Sequence, residues 1–514
     1  MNAFKESKAW LVVAGLASLL TGSVGAEEAA SLAVPPTLQC LSTPAMRQTC
    51  PGDTSAGVAL IRSTGTETCL LGKNWGYDDT GVWVSNGCGG EFVLGGRSLA
   101  APGPGIPMPE SPPAENEIRE TWGFLDPGKG FLVGKSDAGE LSISAYALVR
   151  YMNQMGDDTF TDHLGQDQRV DLRNDIYSHR VLVFLKGWVA DPKMTYQIGF
   201  WTVNTTDQNA IFGNIGYQFN KKFNLYAGIA GNPGSRSMLG SHPYWLGNDR
   251  VMADEFFRPF FTMGVWANGE ILPGLYYDLM VGNTSSTLGV NASNIDRKLT
   301  TGGSLWWMPT THEFGPRGAF GDFEYHEKLA TRFGISATNS PEERYTAPGT
   351  NPGNTVLKLA DSLNVFGTGS LAPDVTVTNV NYRILAVDAG MKYKGFFLQA
   401  EFYQRWLDNF QADGVLPVSE IIDNGFYVQG SFYPIPRTLE LYAATSQIYG
   451  DKDAGFSNSS EYLVGMNWYP FDTRNHRLNF QVIDVNGSPV SSTFGYYTGG
   501  QDGITVAAAF SIFF

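Results

Sequence analysis

The chain has 514 residues; 60 are glycine, 13% are aromatic, only 17% are charged, and the formal net charge is −15. Disordered chains are poor in aromatics and rich in charge, so that class is excluded. The acidic balance argues against nucleic-acid binding. Beyond the N-terminus, no charge-poor apolar run reaches the ~18 residues of a spanning helix, which argues against a helical membrane protein.

The chain opens with Lys5 and Lys8, an apolar stretch over 9–20 and the small residues Val24, Gly25 and Ala26. This pattern predicts a secretory signal over 1–26. A small β-rich domain is expected over 27–100. It holds Cys40, Cys50, Cys69 and Cys88. An even, clustered set in an exported chain predicts two disulfides, with three pairings open. There is no CxxC and no CxxCH, so neither a zinc ribbon nor c-type haem attachment is encoded. No cofactor or metal is expected. Residues 101–116 are rich in Pro and Gly and read as an extended linker.

From 117 to 514 the texture changes. Segments of about ten residues alternate apolar and polar between turn clusters, which predicts an antiparallel transmembrane β-barrel. At the C-terminus Ile504, Val506, Ala508, Phe510, Ile512 and Phe514 share one face, with Thr505, Ala507, Ala509 and Ser511 opposite. Leu398, Ala400, Phe402 and Trp406 repeat the pattern against Gln399, Glu401, Tyr403 and Arg405. So do Phe426, Val428 and Phe432 against Tyr427, Gln429 and Ser431. Sixteen segments are expected, centred near 147, 184, 199, 214, 226, 264, 278, 304, 333, 389, 401, 428, 442, 466, 480 and 509. Short spacers such as 394–395 alternate with long ones such as 231–259 and 339–383, as periplasmic turns alternate with external loops. The spacer 310–327 is long where a short turn is due. Trp188, Trp201, Trp306, Trp307, Trp406, Trp468, Tyr469, Phe513 and Phe514 are expected in interfacial girdles. The fold class is therefore all-β, a 16-stranded antiparallel transmembrane barrel preceded by a small disulfide-bonded domain.

The barrel part resembles the phosphate-selective porin O and P family. The resemblance rests on HPYWLGNDRVMADEFFRPFFTMGVWANGEI, GMKYKGFFLQAEFYQRWLD, FYVQGSFYPIPRTLELYAATS and NWYPFDTRNHRLNFQV. It implies a sixteen-stranded trimeric porin of the outer membrane, in contact with lipid and lipopolysaccharide. The family's arginine ladder cannot be aligned here, so phosphate specificity does not carry over. The N-terminal region resembles a bacterial exported domain of unknown function, through TCPGDTSAGVALIR and NWGYDDTGVWVSNGCGGEF. No activity follows from that; the domain is expected in the periplasm, with peptidoglycan as a candidate contact.

Alternation assigns the lumen. Inward bases are expected at Arg150, Arg180, Lys186, Lys328, Arg332, Lys392, Arg405 and Arg477, and inward acids at Asp278, Asp388, Glu401 and Glu440. A basic excess would raise local anion concentration. The loop 231–259 is expected to fold inward as a constriction carrying Arg236, Asp249, Arg250, Asp254, Glu255 and Arg258, with opposed charges across an eyelet. GKGFLVGKS at 128–136 has Lys where a phosphate-binding loop needs Gly, and no HExxH occurs, so no enzymatic activity is expected. The expected function is a water-filled channel for small polar or anionic solutes. Two alternatives are a barrel sheath around a partner protein, and a membrane anchor for a glycan-binding N-terminal domain using Trp75, Tyr77 and Trp83.

Overall fold

The computed structural model describes residues 37–44, 46–54, 58–78, 80–94, 128, 130–203, 208–240, 243–286, 298–491 and 495–514. The signal over 1–26 and the linker over 101–116 lie outside the described residues. The chain divides into two compact units, Met1–Glu117 and Ile118–Phe514.

The described residues of the first unit form six strands: β1 (Thr37–Leu41), β2 (Arg47–Cys50), β3 (Val58–Ser63), β4 (Trp75–Asp78), β5 (Gly81–Ser85) and β6 (Gly89–Leu94). They form two three-stranded sheets, in orders β1-β6-β3 and β2-β5-β4. The disulfides are Cys40–Cys50, which ties β1 to β2, and Cys69–Cys88. Cys40, Cys69 and Cys88 are buried with Trp75, Val82, Val84 and Phe92 in one small core. A unit this short buries little apolar area, so the bridges supply constraint that packing cannot. Trp75 is a core residue, its ring 4.9 Å from that of Phe92. Trp83 pairs with Gly76 and lies under the Arg47 guanidinium at 4.1 Å. The alternation of side chains therefore sends Trp83 to the face opposite Trp75 and Tyr77, and the three rings form no shared platform for a sugar.

The second unit is a closed antiparallel barrel. Its strands are β8 (Gly139–Gly156), β11 (Asn174–Val189), β12 (Asp191–Val203), β13 (Gln208–Asn220), β14 (Phe223–Gly231), β15 (Phe261–Leu272), β16 (Leu275–Gly282) and β17 (Thr300–Trp307). They continue as β18 (Ala330–Glu343), β19 (Val377–Tyr393), β20 (Phe396–Ala412), β21 (Glu420–Ile435), β22 (Leu439–Tyr449), β23 (Asn458–Trp468), β24 (His476–Asn486) and β25 (Gly503–Phe513). All sixteen expected segment centres fall within these strands. A short hairpin, β9 (Thr159–Thr161) with β10 (Asp167–Arg169), stands between β8 and β11.

Closure occurs along β8. One edge takes β11; the other takes β25, from Gly503↔Gly156 to Phe513↔Tyr146. The rest of that edge is taken by β7 (Phe131–Ser136), which pairs from Phe131↔Ile143 to Ser136↔Gly139. Phe131 stacks on the terminal Phe514 at 4.7 Å, so two short pieces jointly cover one long strand and no bare edge remains there.

Outward and inward faces alternate as expected. Leu398 and Phe402 are exposed while Gln399, Glu401, Tyr403 and Arg405 are buried. The turn between β19 and β20 is the pair Lys394-Gly395, with φ of 47° and 83°. Positive φ at both positions is the type I′ geometry, whose twist matches the flanking strands. The aromatic expectation needs correction. Trp307, Trp468 and Phe514 are exposed on the outside, but Trp188, Trp201, Trp306, Tyr469 and Phe513 are buried. Strand-end position alone does not decide the face; odd or even placement does.

Candidate functional site

The wall of the lumen is built by the inward row of each strand. Arg150 on β8, Arg180 on β11, Asp278 on β16, Arg332 on β18, Asp388 and Lys392 on β19, Glu401 and Arg405 on β20, Glu440 on β22 and Arg477 on β24 are all buried. Lys186 on β11 is partly buried and donates to the Gly128 carbonyl. Lys328 is the exception. It precedes β18, is exposed and belongs to the connecting spacer, because that strand begins only at Ala330.

These charges are matched rather than bare. Arg332 Nε donates to Asp388 Oδ1 at 3.0 Å, and Arg405 Nε to Asp423 Oδ2 at 3.0 Å. Glu440 accepts from Asn467 Nδ2 at 2.9 Å and from the Tyr469 hydroxyl at 3.2 Å. Three inward acids were missed: Glu342, Asp423 and Glu461, each buried. The signal was present, since each keeps the inward parity of its strand, but β18, β21 and β23 run further toward the long loops than the apolar pattern shows. With them, and without Lys328, the inward strand bases no longer outnumber the acids.

The loop over 232–260 folds into the barrel. It contains a short helix, α1 (Met252–Phe257), and most of its described residues are buried. It reaches widely separated strands. Arg236 N–H donates to Glu401 Oε1 at 2.8 Å, Ala253 N–H to Ser446 Oγ at 3.2 Å, and Met252 N–H to Glu461 Oε2 at 2.9 Å. Arg477 donates to the Trp245 carbonyl at 2.6 Å and to Asn248 Oδ1 at 2.7 Å. Across the lumen, Arg180 Nη2 donates to both oxygens of Asp249 at 3.1 and 3.0 Å, and Arg150 Nη1 lies 3.8 Å from the same carboxylate.

The charges on this loop pair differently from the expectation of an eyelet. Arg258 Nη2 is 2.7 Å from Glu255 Oε1, and Arg250 Nε is 3.4 Å from Asp254 Oδ2. Spacings of three and four residues, between the helix and its two flanks, bring these groups together locally. Asp249 is the loop carboxylate that pairs directly with wall arginines.

The long spacer 308–329 also turns inward, from the short-turn end. Phe314 and Phe320 are buried against Phe397 of β20, with ring centroids 6.3 and 5.7 Å away. Phe320 N–H donates to the Tyr244 carbonyl at 2.8 Å, and Arg236 bonds the Gly318 carbonyl, so the two inserted segments meet inside the barrel. Further buried side chains come from 344–376 (Leu357, Leu359, Val365, Phe366) and 487–501 (Val490, Tyr496, Tyr497). The described interior is thus packed by four inserted segments, with an apolar core at its centre.

At the mouth of the spacer, His326 Nε2 lies 2.8 Å from Glu313 Oε1 and Nδ1 bonds Asp322. Burial disfavours the imidazolium, but the bonds to Asp322 and Glu313 outweigh it and push His326 up to about 9. Burial raises the Glu324 carboxyl; Arg474 and Lys392 override it and hold the group down to about 2. Asp322 also accepts from the Gly395 N–H at 2.7 Å, which ties the spacer to the β19–β20 turn.

Residues 37–106 match the family described as protein of unknown function (DUF3011). No curated protein matches the chain. Among solved structures, the barrel is similar to an outer-membrane expressed OmpT of Vibrio cholerae, at 13% identity and a TM-score of 0.45 over 74% of this chain and 99% of that one. It is similar to an anion-selective porin from Comamonas acidovorans, at 11% identity and a TM-score of 0.41 over 73% of this chain and 99% of that one. It is also similar to the outer membrane channel DcaP of Acinetobacter baumannii, at 11% identity and a TM-score of 0.43 over 75% of this chain and 100% of that one.

Proposed function

We propose that this protein is an outer-membrane porin, a passive diffusion channel for small polar solutes including anions, whose lumen is narrowed by its own inserted segments. The observation that carries this reading is the closed sixteen-stranded wall. Its outward rows are apolar and its inward rows carry paired charges. An unbroken apolar belt around a closed sheet suits lipid, where every backbone group must be satisfied internally. The inward charge suits a polar path rather than a hydrophobic one. In this reading the long loops are external and the short turns, with the N-terminal domain, are periplasmic. A trimer is the assembly the family resemblance implies. A sheath around a partner would need an empty bore, and here the chain fills its own interior.

Single-channel recording in planar bilayers tests this. The full chain is expected to give small conductance steps, because 232–260 and 308–329 obstruct the lumen. Removal of 243–258 is expected to enlarge the steps several-fold. A folded, inserted deletion variant that conducts no better than the full chain refutes the channel reading.

A further inference from the structure

The inserted segments do not cover the wall evenly. From Ala330 to Glu342 on β18, Phe397 to Leu407 on β20 and Arg477 to Val485 on β24, every inward residue is buried. Across the lumen, Phe212, Asn214, Gly216 and Gln218 on β13 and Asn224 on β14 are only half-buried. They face inward, because Ile211, Ile215 and Phe219 between and beside them are exposed on the outer wall. Solvent inside the barrel therefore reaches this side. From Thr195 to Trp201 on β12, Ala210 to Gln218 on β13 and Asn224 to Ala230 on β14, no described inward side chain is charged. Lys186 of β11 stands opposite Gln197, but its ammonium is engaged by the Gly128 carbonyl.

What lines this side instead is amide. Gln197 stands directly opposite Asn214, and Gln218 directly opposite Asn224. Opposed side chains of this kind start about 5 Å apart, and the two pairs are about 13 Å apart along β13. Between them Gly216 leaves a hollow without a side chain. Among the described residues, the amides of Gln197, Asn214 and Gln218 bond no protein group. Asn224 Nδ2 donates to the Asn268 carbonyl at 3.3 Å and to its Oδ1 at 3.4 Å. Toward the long loops, Phe212 pairs with Gly199 of β12. A Cβ on Gly199 would come within 2.5 Å of the Phe212 ring, so the glycine lets that ring fold down onto the wall. Phe184 meets it edge-on at 6.0 Å and fixes it there. The result is an apolar ring beside free amides. Amides and hydroxyls both donate and accept, so they are matched partners. An aromatic face suits the C–H face of a saccharide ring. An anion would find donors here but no free cation to offset its lost hydration.

We propose that the inner face of β12–β14 binds a neutral linear saccharide, with one ring against Phe212, its hydroxyls on Gln197 and Asn214, and a later unit on Gln218 and Asn224. The inference rests on the channel reading above and narrows its solute class. Neutral solutes and ions then meet different walls, since the charged rows lie on the other strands.

The test is ligand-observed NMR titration of the folded full chain in a detergent without a sugar headgroup. The probes are maltotriose, glucose, gluconate and inorganic phosphate. Maltotriose is expected to bind saturably, about tenfold tighter than glucose, the worth of two more neutral hydrogen bonds. Gluconate and phosphate should bind more weakly than glucose. Asn214→Leu with Gln218→Leu should cost maltotriose about tenfold. Phe212→Leu should weaken both sugars and Phe212→Tyr should keep them. Gln404→Leu, which removes an amide from the outward face of β20, should change neither. Equal maltotriose binding by the native chain and the double variant overturns the proposal, because the sugar then sits elsewhere, the N-terminal unit included. Tighter binding of gluconate or phosphate than of glucose by the native chain overturns it without any variant. Saturable sugar binding by a chain that does not conduct in planar bilayers would instead overturn the channel reading and leave the site standing.

Discussion

His326 uses both ring nitrogens against carboxylates, which only the imidazolium can do as a double donor. Its folded value of about 9 stands above the ordinary 6.5, so the stabilisation is complete below pH 6.5 and is lost as pH rises through 9. Glu324 has the opposite sign: lowered from 4.5 to about 2, it contributes above pH 4.5 and fails as pH falls toward 2. Protection of 308–329 against hydrogen exchange, taken relative to the intrinsic base-catalysed rate, should therefore hold at neutral pH and fall toward about pH 10. His326→Gln should flatten that alkaline loss of protection. Protection that does not change between neutral and alkaline pH in the native chain would show that the pairing does not hold the spacer. Asp249 is the second decisive residue, with Arg180 and Arg150 facing it in a buried site. Asp249→Ala leaves two buried arginines without their carboxylate and should cost about 3–5 kcal/mol. Thermal unfolding of the barrel in detergent reads this; a cost under about 1 kcal/mol would mean that the interior there is wetter than its burial indicates.

At the scale of elements, the strands were legible because each has one apolar face, and a shift of one residue would turn every side chain over. Lys394-Gly395 was equally legible as a tight turn. What lay beyond the pattern was the fate of spacers. Nothing in the periodicity of 308–329 shows that Phe314 and Phe320 fill the barrel, since an inserted segment has no repeat of its own. Asp423 and Glu461 were missed for a related reason: near strand ends the outward partners become polar and the alternation fades. Pairing was closed to sequence altogether in the N-terminal unit, where three disulfide patterns fit four cysteines. The observed Cys69–Cys88 bridge closes a separation of 19 residues. Cys69→Ala with Cys88→Ala should cost about 3 kcal/mol, enough to unfold a unit with so small a core. The isolated chain's N-terminal signals by NMR would collapse toward random-coil dispersion while the barrel's persist; unchanged dispersion would show that the core stands without the bridge.

For the whole molecule, the deciding quantity is where the charge lies. The net charge of −15 belongs to the entire chain, and ion selectivity depends only on the groups that a permeating ion meets. On the inward strand faces, Arg150, Arg180, Lys186, Arg332, Lys392, Arg405 and Arg477 are countered by Asp278, Glu342, Asp388, Glu401, Asp423, Glu440 and Glu461. The inserted loop adds Arg236, Arg250 and Arg258 against Asp249, Asp254 and Glu255. A lumen balanced in this way has no large potential of one sign, although each arginine is a local anion contact. In a tenfold salt gradient the reversal potential should stay a small fraction of the ~59 mV that one charge and a tenfold ratio give. Glu461→Gln keeps the shape that accepts the Met252 N–H and Ser446 hydroxyl while removing one inward charge, so it should move the potential toward anion selectivity. Arg332→Gln, which unpairs Asp388, should move it the other way. If the native channel already lies near either limit, or if both variants shift in the same direction, then ions do not pass along the charged rows, and the path must run between the inserted segments instead.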